Sequence, residues 1–191
     1  MYVLAINGSP QRNGNTARLL ERVLEPVTAV GIETGIVHLA DYPISPCRGC
    51  RACGRNKNGL CAIANDALNT LFARMRSADG IVLGSPVYFA DVTSEMLALI
   101  HRTGMVSRVN GDLLARKVAA GVVAVRRGGA IHAFDTLNHY FLISQMIVVG
   151  SVYWNMGVGR LPGDVEHDEE GLLTMQTLGQ NMAWLLQKLH A

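Results

Sequence analysis

The cysteines of this 191-residue chain lie in one short segment, with the spacing C-x2-C-x2-C-x7-C. Thiols at intervals of three residues can converge on one inorganic centre, and compact runs of this kind ligate iron–sulfur clusters. Structural zinc fits less well, because such sites usually present two C-x2-C pairs separated by a longer stretch. The spacing therefore predicts an iron–sulfur cluster, with zinc or an unoccupied, redox-active thiol loop as alternatives. The candidate ligands are Cys47, Cys50, Cys53 and Cys61.

Length and composition indicate the kind of protein that carries these thiols. The length fits one domain over residues 1–191. The apolar start is too short for a signal peptide and no later run could span a membrane. We therefore expect a protein without membrane insertion that lies in the cytoplasm, where thiols stay reduced.

Charge narrows the classes of partner. The net charge is only +2 and the basic residues are dispersed, so there is no footprint for nucleic acid. Small-molecule chemistry is favoured instead. Charged residues make up 17% of the chain, below the usual value of about 25%, which suggests a homodimer or homotetramer.

Short apolar runs alternate with amphipathic segments along the whole chain. Five strands alternating with helices imply an α/β fold, a doubly wound parallel sheet with helices on both faces in three layers. The cysteine-rich loop spans 40–64, and 151–170 is expected to be irregular. Strands are predicted at 3–6, 32–39, 80–84, 117–125 and 146–149, and helices at 17–27, 65–76, 93–103, 131–145 and 172–189.

The loop NGSPQRNGNT, residues 7–16, joins the first strand to the first helix. Free N–H groups and the positive dipole end of a helix N-terminus favour an anion, and Ser9, Asn15 and Thr16 can add donors. The loop has neither the G-x-G-x-x-G spacing nor the Gly-Lys-Ser/Thr ending of a P-loop. It therefore suits a phosphate monoester better than a dinucleotide or ATP. The alternative is that these side chains merely cap the helix.

Two further strand-exit loops should reach the same edge of the sheet, where ligands of open α/β sheets bind. In GSPVYF, Pro86 stiffens the chain and the aromatics that follow can line a flat slot, although they could also be ordinary half-buried aromatics. In RRGG, the backbone at Gly128 and Gly129 can approach a ligand closely, although a Gly-Gly pair is more often only a turn.

These loops, in this order and at these separations, resemble the flavodoxin-like flavoproteins of the NAD(P)H-dependent FMN reductase group. The cysteine run between the second strand and the second helix resembles the subgroup called iron-sulfur flavoproteins. The resemblance covers essentially the whole chain. It implies a flavodoxin-like five-stranded sheet of order 2-1-3-4-5 with one FMN per subunit.

The resemblance also implies roles for individual residues. Those expected to hold FMN are Ser9, Arg12, Asn15, Thr16, Pro86, Val87, Tyr88, Phe89, Arg127, Gly128 and Gly129. The cluster of the subgroup is a cubane, so a [4Fe-4S] cluster held by all four cysteines is implied. No side chain is assigned a catalytic role, since the flavin itself carries the chemistry.

The implied function is an FMN-dependent oxidoreductase that passes electrons between FMN and the cluster, with NAD(P)H as co-substrate. One alternative is a cluster-free NAD(P)H:quinone or flavin reductase. Another is a non-enzymatic flavin electron carrier or redox sensor. In each case the partner is a small-molecule or protein electron donor or acceptor, and the spacing selects neither NADH nor NADPH.

Overall fold

A parallel sheet with the order β2-β1-β3-β4-β5 forms the centre of the molecule, in a computed structural model that describes residues 1–191. The predicted order and α/β class are confirmed. Its three central strands are apolar runs buried on both faces, as is typical of parallel sheets, and the strands at its edges are more exposed. The strands are Tyr2–Asn7 (β1), Glu33–His38 (β2), Gly80–Pro86 (β3), Val118–Val125 (β4), Ile147–Val148 (β5) and Met156–Val158 (β6).

The fifth position of the sheet is split between two short strands. β5 pairs with the start of β4 and β6 with its end, so residues 149–155 leave the sheet and return to it. The prediction of an irregular segment over 151–170 was therefore wrong for β6. Three residues are too few to show a strand periodicity in the sequence.

Helices cover both faces of the sheet. They are Asn15–Ala29 (α1), Ala52–Asn56 (α2), Leu68–Ser77 (α3), Ser94–Val109 (α4), Ala130–Ile143 (α5) and Glu169–Leu189 (α6). Alternate residues of β1 point to opposite faces: Leu4 joins a buried cluster with α3, α4 and α5, and Val3 joins one with α1 and α6. The three predicted layers are thus present.

Two helices near the cysteine segment depart from the predictions: α4 is longer than predicted, and α2 was not predicted. α4 continues to Val109, six residues beyond the predicted end, so its second half reaches the thiols. The short helix α2 lies inside the predicted loop and carries Cys53. Arg51 and Lys57, which flank α2, both have left-handed backbone angles that keep it short.

No helix combines the length and the apolar character needed to cross a membrane.

Candidate functional site

The exit loops of β1 and β3 are bonded to each other at the carboxyl edge of the sheet. The Gly8 N–H donates to the Gly84 carbonyl at 2.7 Å, and the Thr93 hydroxyl donates to the Gly8 carbonyl at 2.9 Å. Thr93 is fully buried and its oxygen also accepts from the Met96 N–H, which caps α4. One threonine therefore fixes the start of α4 against the first loop.

A cavity of about 180 Å³ opens between these loops. Six residues predicted to hold FMN line it, and they come from the exit loops of β1 and β3. The lining consists of Ser9, Gln11, Asn15, Thr16, Pro86, Val87, Tyr88, Ala124, Arg126, Gly159 and Arg160.

The N-terminus of α1 faces this cavity without a side-chain cap. Its N-cap residue is Gly14, and no side chain accepts from the first-turn N–H groups there. Ser9 instead accepts from the Gln11 N–H at 3.1 Å, and Asn15 accepts from the Gly163 N–H at 2.8 Å. The alternative that the loop side chains merely cap the helix does not describe this geometry. The positive end of α1 is left open to an anion.

The β3 exit loop ends in a tight backbone turn. Tyr88 and Asp91 exchange two backbone hydrogen bonds of 2.8 and 3.1 Å, and Phe89 and Ala90 between them have φ values of 48° and 70°. The Phe89 side chain is fully exposed and lies outside the cavity lining, whereas Tyr88 is half-exposed and lines it.

The RRGG loop packs against that turn. Gly129 has a φ of 89°, and a Cβ there would lie 2.9 Å from both Ala90 Cα and Val87 Cγ1. Only glycine fits this contact without moving the turn. The β3 exit loop and the RRGG loop are thus in contact, although Arg127, Gly128 and Gly129 do not themselves line the 180 Å³ cavity.

Arg12 is directed elsewhere. It forms an exposed ion pair with Asp41 and is absent from the cavity lining. The cations that do line the cavity are Arg126 and Arg160. Arg160 and Gly159 follow β6, and the only signal for them in the sequence was the length of the segment 151–170 between regular elements.

All four cysteines line one second cavity, between the cysteine segment and α4. Its free space is about 30 Å³, close to the share of one water molecule in liquid water. Cys53 is buried, Cys61 is half-buried, and Cys47 and Cys50 are exposed. The set therefore has an inner pair and an outer pair of thiols.

These thiols do not share one metal-ion position. No group of three or more Cys, His, Asp or Glu side chains is close enough together to hold a single ion. Zinc would need four sulfurs each about 2.3 Å from one centre.

Arg102 of α4 forms the floor of the cysteine cavity. Its side chain is fully buried, and its Nε and Nη2 atoms donate to Cys61 Sγ at 3.4 and 3.3 Å. It also donates to the carbonyls of Ser45 and Ile63 at 2.9 and 3.0 Å, and forms an ion pair with Asp66. One guanidinium thus connects both ends of the cysteine segment to α4.

The charge states of this pair are fixed by their contacts. Burial by itself would lower the pKa of Arg102, but hydrogen bonds to Asp66 and Cys61 outweigh it and leave that pKa raised. Burial would likewise raise the pKa of Asp66, but hydrogen bonds from Arg102 and from the Ser45 and Leu68 N–H groups leave it lowered. Both groups are charged at neutral pH.

The sheet order and the cavity at the carboxyl ends of its strands define a flavodoxin-like α/β protein. A family model described as NADPH-dependent FMN reductase matches residues 1–160, and the chain belongs to that family.

Curated relatives extend over nearly the whole chain. An iron-sulfur flavoprotein of Methanocaldococcus jannaschii is 39% identical over 191 residues, covering 96% of each chain. An iron-sulfur flavoprotein of Methanosarcina thermophila is 29% identical, covering 98% of this chain and 96% of its own. Among solved structures, RosB with a bound 8-demethyl-8-formylriboflavin-5'-phosphate intermediate matches with a TM-score of 0.80 at 21% identity, covering 100% of this chain and 80% of its own.

Proposed function

We propose that this chain is an FMN-dependent oxidoreductase that exchanges electrons between FMN and a [4Fe-4S] cluster on its cysteine segment. The observation that carries the flavin half is the cavity between the first and third exit loops, open to the uncapped N-terminus of α1. Family membership supports FMN as the ligand. When bound, FMN accepts a hydride from a nicotinamide or single electrons from a carrier.

The phosphate end of FMN suits the cavity beside α1. Ser9 and Thr16 are almost fully buried there, and the first-turn N–H groups of α1 have no side-chain acceptor. A dianionic phosphate would supply that acceptor and would meet the positive end of the helix dipole. Arg126 and Arg160, which line the same cavity, would add positive charge.

The ring end would lie on the strained turn. The free space of about 180 Å³ would hold only part of an FMN molecule, and Tyr88 and the RRGG loop would be the residues available to hold its flat ring system. The contact of Gly129 with Val87 and Ala90 fixes those two loops relative to each other. We propose that Pro86, Val87 and Tyr88 hold the ring on one side and that Gly128 and Gly129 hold it on the other.

The donor set of the second cavity fits an iron–sulfur cluster. All four thiols line that cavity, and the buried Arg102 would offset part of the negative charge of a thiolate-ligated cluster. Since the present free space is about 30 Å³, binding requires outward movement of the exposed segment that carries Cys47 and Cys50. The names of the relatives from Methanocaldococcus and Methanosarcina support the same cofactor.

One preparation tests both cofactors. Protein purified under nitrogen should contain FMN, iron and acid-labile sulfide, with about four iron and four sulfide per chain for a [4Fe-4S] centre. Flavin without iron or sulfide would refute the cluster and leave a cluster-free flavin or quinone reductase. Neither flavin nor iron, after incubation with both, would refute the whole proposal.

The electron donor is tested by stopped-flow reduction with NADH and with NADPH under nitrogen. Bleaching of the flavin by either nucleotide, followed by reoxidation with a quinone, is expected of a reductase. Absence of bleaching at saturating nucleotide would contradict nicotinamide dependence and favour an electron carrier supplied by a protein donor.

We further propose that the chain acts as a homodimer or homotetramer in the cytoplasm. Exposed apolar side chains around residues 142–154 support association, among them Leu142, Val152, Tyr153 and Trp154. Sedimentation equilibrium of the loaded protein should give a multiple of 20.6 kDa, and a mass of one chain would contradict it.

A further inference from the structure

Arg102 is the most deeply buried charged side chain of the molecule, and its contacts are concentrated on one cysteine. Two of its nitrogens donate to Cys61 Sγ, and no other cysteine sulfur accepts from it. The backbone of Cys61 is held as well: its N–H donates to Asn69 Oδ1 at 2.8 Å and its carbonyl accepts from Asn69 Nδ2 at 3.0 Å. Cys61 is thus fixed at both its backbone and its sulfur.

The other thiols are held less tightly. Cys47 and Cys50 are exposed, and no side chain donates to either sulfur. Cys53 is buried in α2 and its carbonyl accepts from the Lys57 N–H at 3.2 Å and from Asn110 at 3.4 Å, but its sulfur accepts no hydrogen bond. The ligand set is therefore asymmetric, because Cys61 is the one cysteine whose sulfur accepts side-chain hydrogen bonds.

We propose that Arg102, held by Asp66, is a positioning residue that fixes Cys61 as the anchor ligand and raises the reduction potential of the cluster bound there. The inference rests on the proposed function, since it concerns the same four thiols. It goes further in assigning a role to a residue of α4 that is outside the cysteine motif.

The direction of the effect follows from charge. A cluster that gains one electron becomes more negative by one unit, and hydrogen bonds to a ligand sulfur stabilise the more negative state. Arg102 supplies two such bonds and a buried positive charge, in a region where water does not screen them. Its presence therefore favours the reduced cluster.

The test compares Arg102→Gln with Arg108→Gln, a matched control six residues further along α4. Arg108 is exposed and lines a cavity with Cys47, but it donates no hydrogen bond to a cysteine sulfur, so both variants remove one positive charge and only the first removes the sulfur bonds. Midpoint potentials come from redox titration monitored by electron paramagnetic resonance on anaerobically prepared protein. We expect a clearly more negative potential in Arg102→Gln than in wild type or the control, with Arg102→Lys in between because an ammonium lacks the planar fork.

Each outcome decides the inference. Loss of iron from folded, flavin-containing Arg102→Gln, with full iron in Arg108→Gln, would also support it. If Arg102→Gln fails to fold by circular dichroism, the comparison rests on Arg102→Lys, whose charge still pairs with Asp66. Full iron content with potentials no different from the control would overturn the positioning role alone. Absence of iron from the wild type would overturn the proposed function itself, and this inference with it.

Discussion

Arg102 and Asp66 are buried charges that depend on each other. Their side chains are 0% and 8% exposed, and an isolated charge at either position would carry a large desolvation cost. They lie 36 residues apart in sequence, so the pair joins the start of α3 to the middle of α4. Both residues lie outside the cysteine segment, and together they hold that segment against α4.

Replacing Asp66 with Asn should destabilise the protein in a pH-dependent way. Removing one partner of a buried pair costs about 3–5 kcal/mol, because the other charge is left unpaired. Because its folded pKa is lowered, Asp66 contributes fully above its ordinary pKa of 3.8, and the contribution is lost as the pH falls through the folded value. Urea unfolding from pH 7 down to pH 3 should show the wild-type advantage shrinking below about pH 4.

Asp41→Asn is the matched control for that experiment. Its ion pair with Arg12 is exposed, and such pairs contribute about 0–1 kcal/mol. A gap between wild type and Asp66→Asn that stays constant from pH 7 to pH 3 would show that the carboxylate charge is not what stabilises the segment.

Thr16→Val should weaken FMN binding. Thr16 is 1% exposed at the open end of α1, and a hydrogen bond to a charged group contributes about 1.5–3 kcal/mol, or roughly 10- to 150-fold in Kd. Thr28→Val is the control, since Thr28 lies near the other end of the same helix and its hydroxyl bonds to Thr34. Fluorescence titration of apoprotein with FMN measures both, and equal Kd values would place the phosphate elsewhere.

At the scale of elements, α1 and α6 pack closely enough to need a glycine at their crossing. A Cβ on Gly179 would lie 2.1 Å from the Val23 carbonyl oxygen and 2.5 Å from Pro26 Cγ. This contact holds the helix whose N-terminus faces the cavity. The backbone of α1 is thus located by a residue far from the site.

Gly179→Ala should therefore destabilise the fold, although alanine is the better helix former by about 0.5–1 kcal/mol. The clash involves backbone atoms, which move less easily than a side chain, and overpacking of this kind costs about 1–3 kcal/mol. Gly150→Ala is the control, since nothing lies within 4 Å of a Cβ there. Urea denaturation compares the two, and an unchanged or higher midpoint for Gly179→Ala would show that the helices can separate without loss.

The elements with clear apolar runs or amphipathic patterns could be predicted from the sequence. Those that depend on tertiary contacts could not. β1, β3 and β4 are solidly apolar runs, and their alternation with helices predicted a parallel sheet, whereas the strand order was an expectation from the family resemblance. β6 has only three residues and is held by β4, so nothing local predicts it. The helix α2 depends on two left-handed residues that no pattern identifies.

The candidate site shows the same division. The residues of the β1 and β3 exit loops lie where strand-exit positions predict, because parallel strands end at one edge of a sheet. Arg160 follows β6 in the sequence and lines the cavity at the carboxyl edge of the sheet. Arg102 lies on α4 and lines the cysteine cavity. Both are brought in from a distance in sequence, and neither has a motif around it.

At the scale of the whole molecule, a ligand that binds only the folded state should raise the thermal midpoint. FMN at 100 times its Kd adds about 2.7 kcal/mol, which corresponds to roughly 5–10 °C for a chain of this size. Riboflavin at the same concentration lacks the phosphate and should shift the midpoint much less. Differential scanning calorimetry of apoprotein with each ligand measures this, and equal shifts would contradict a phosphate site at α1.

The divided edge beside β4 also bears on how the protein behaves when crowded. An uninterrupted outer strand offers a row of backbone groups on which strands of other molecules can add, as in fibre growth. Here that edge consists of two residues of β5 and three of β6, separated by the excursion over residues 149–155. Each piece is too short to template an incoming strand, so the excursion protects this side of the sheet against polymerisation.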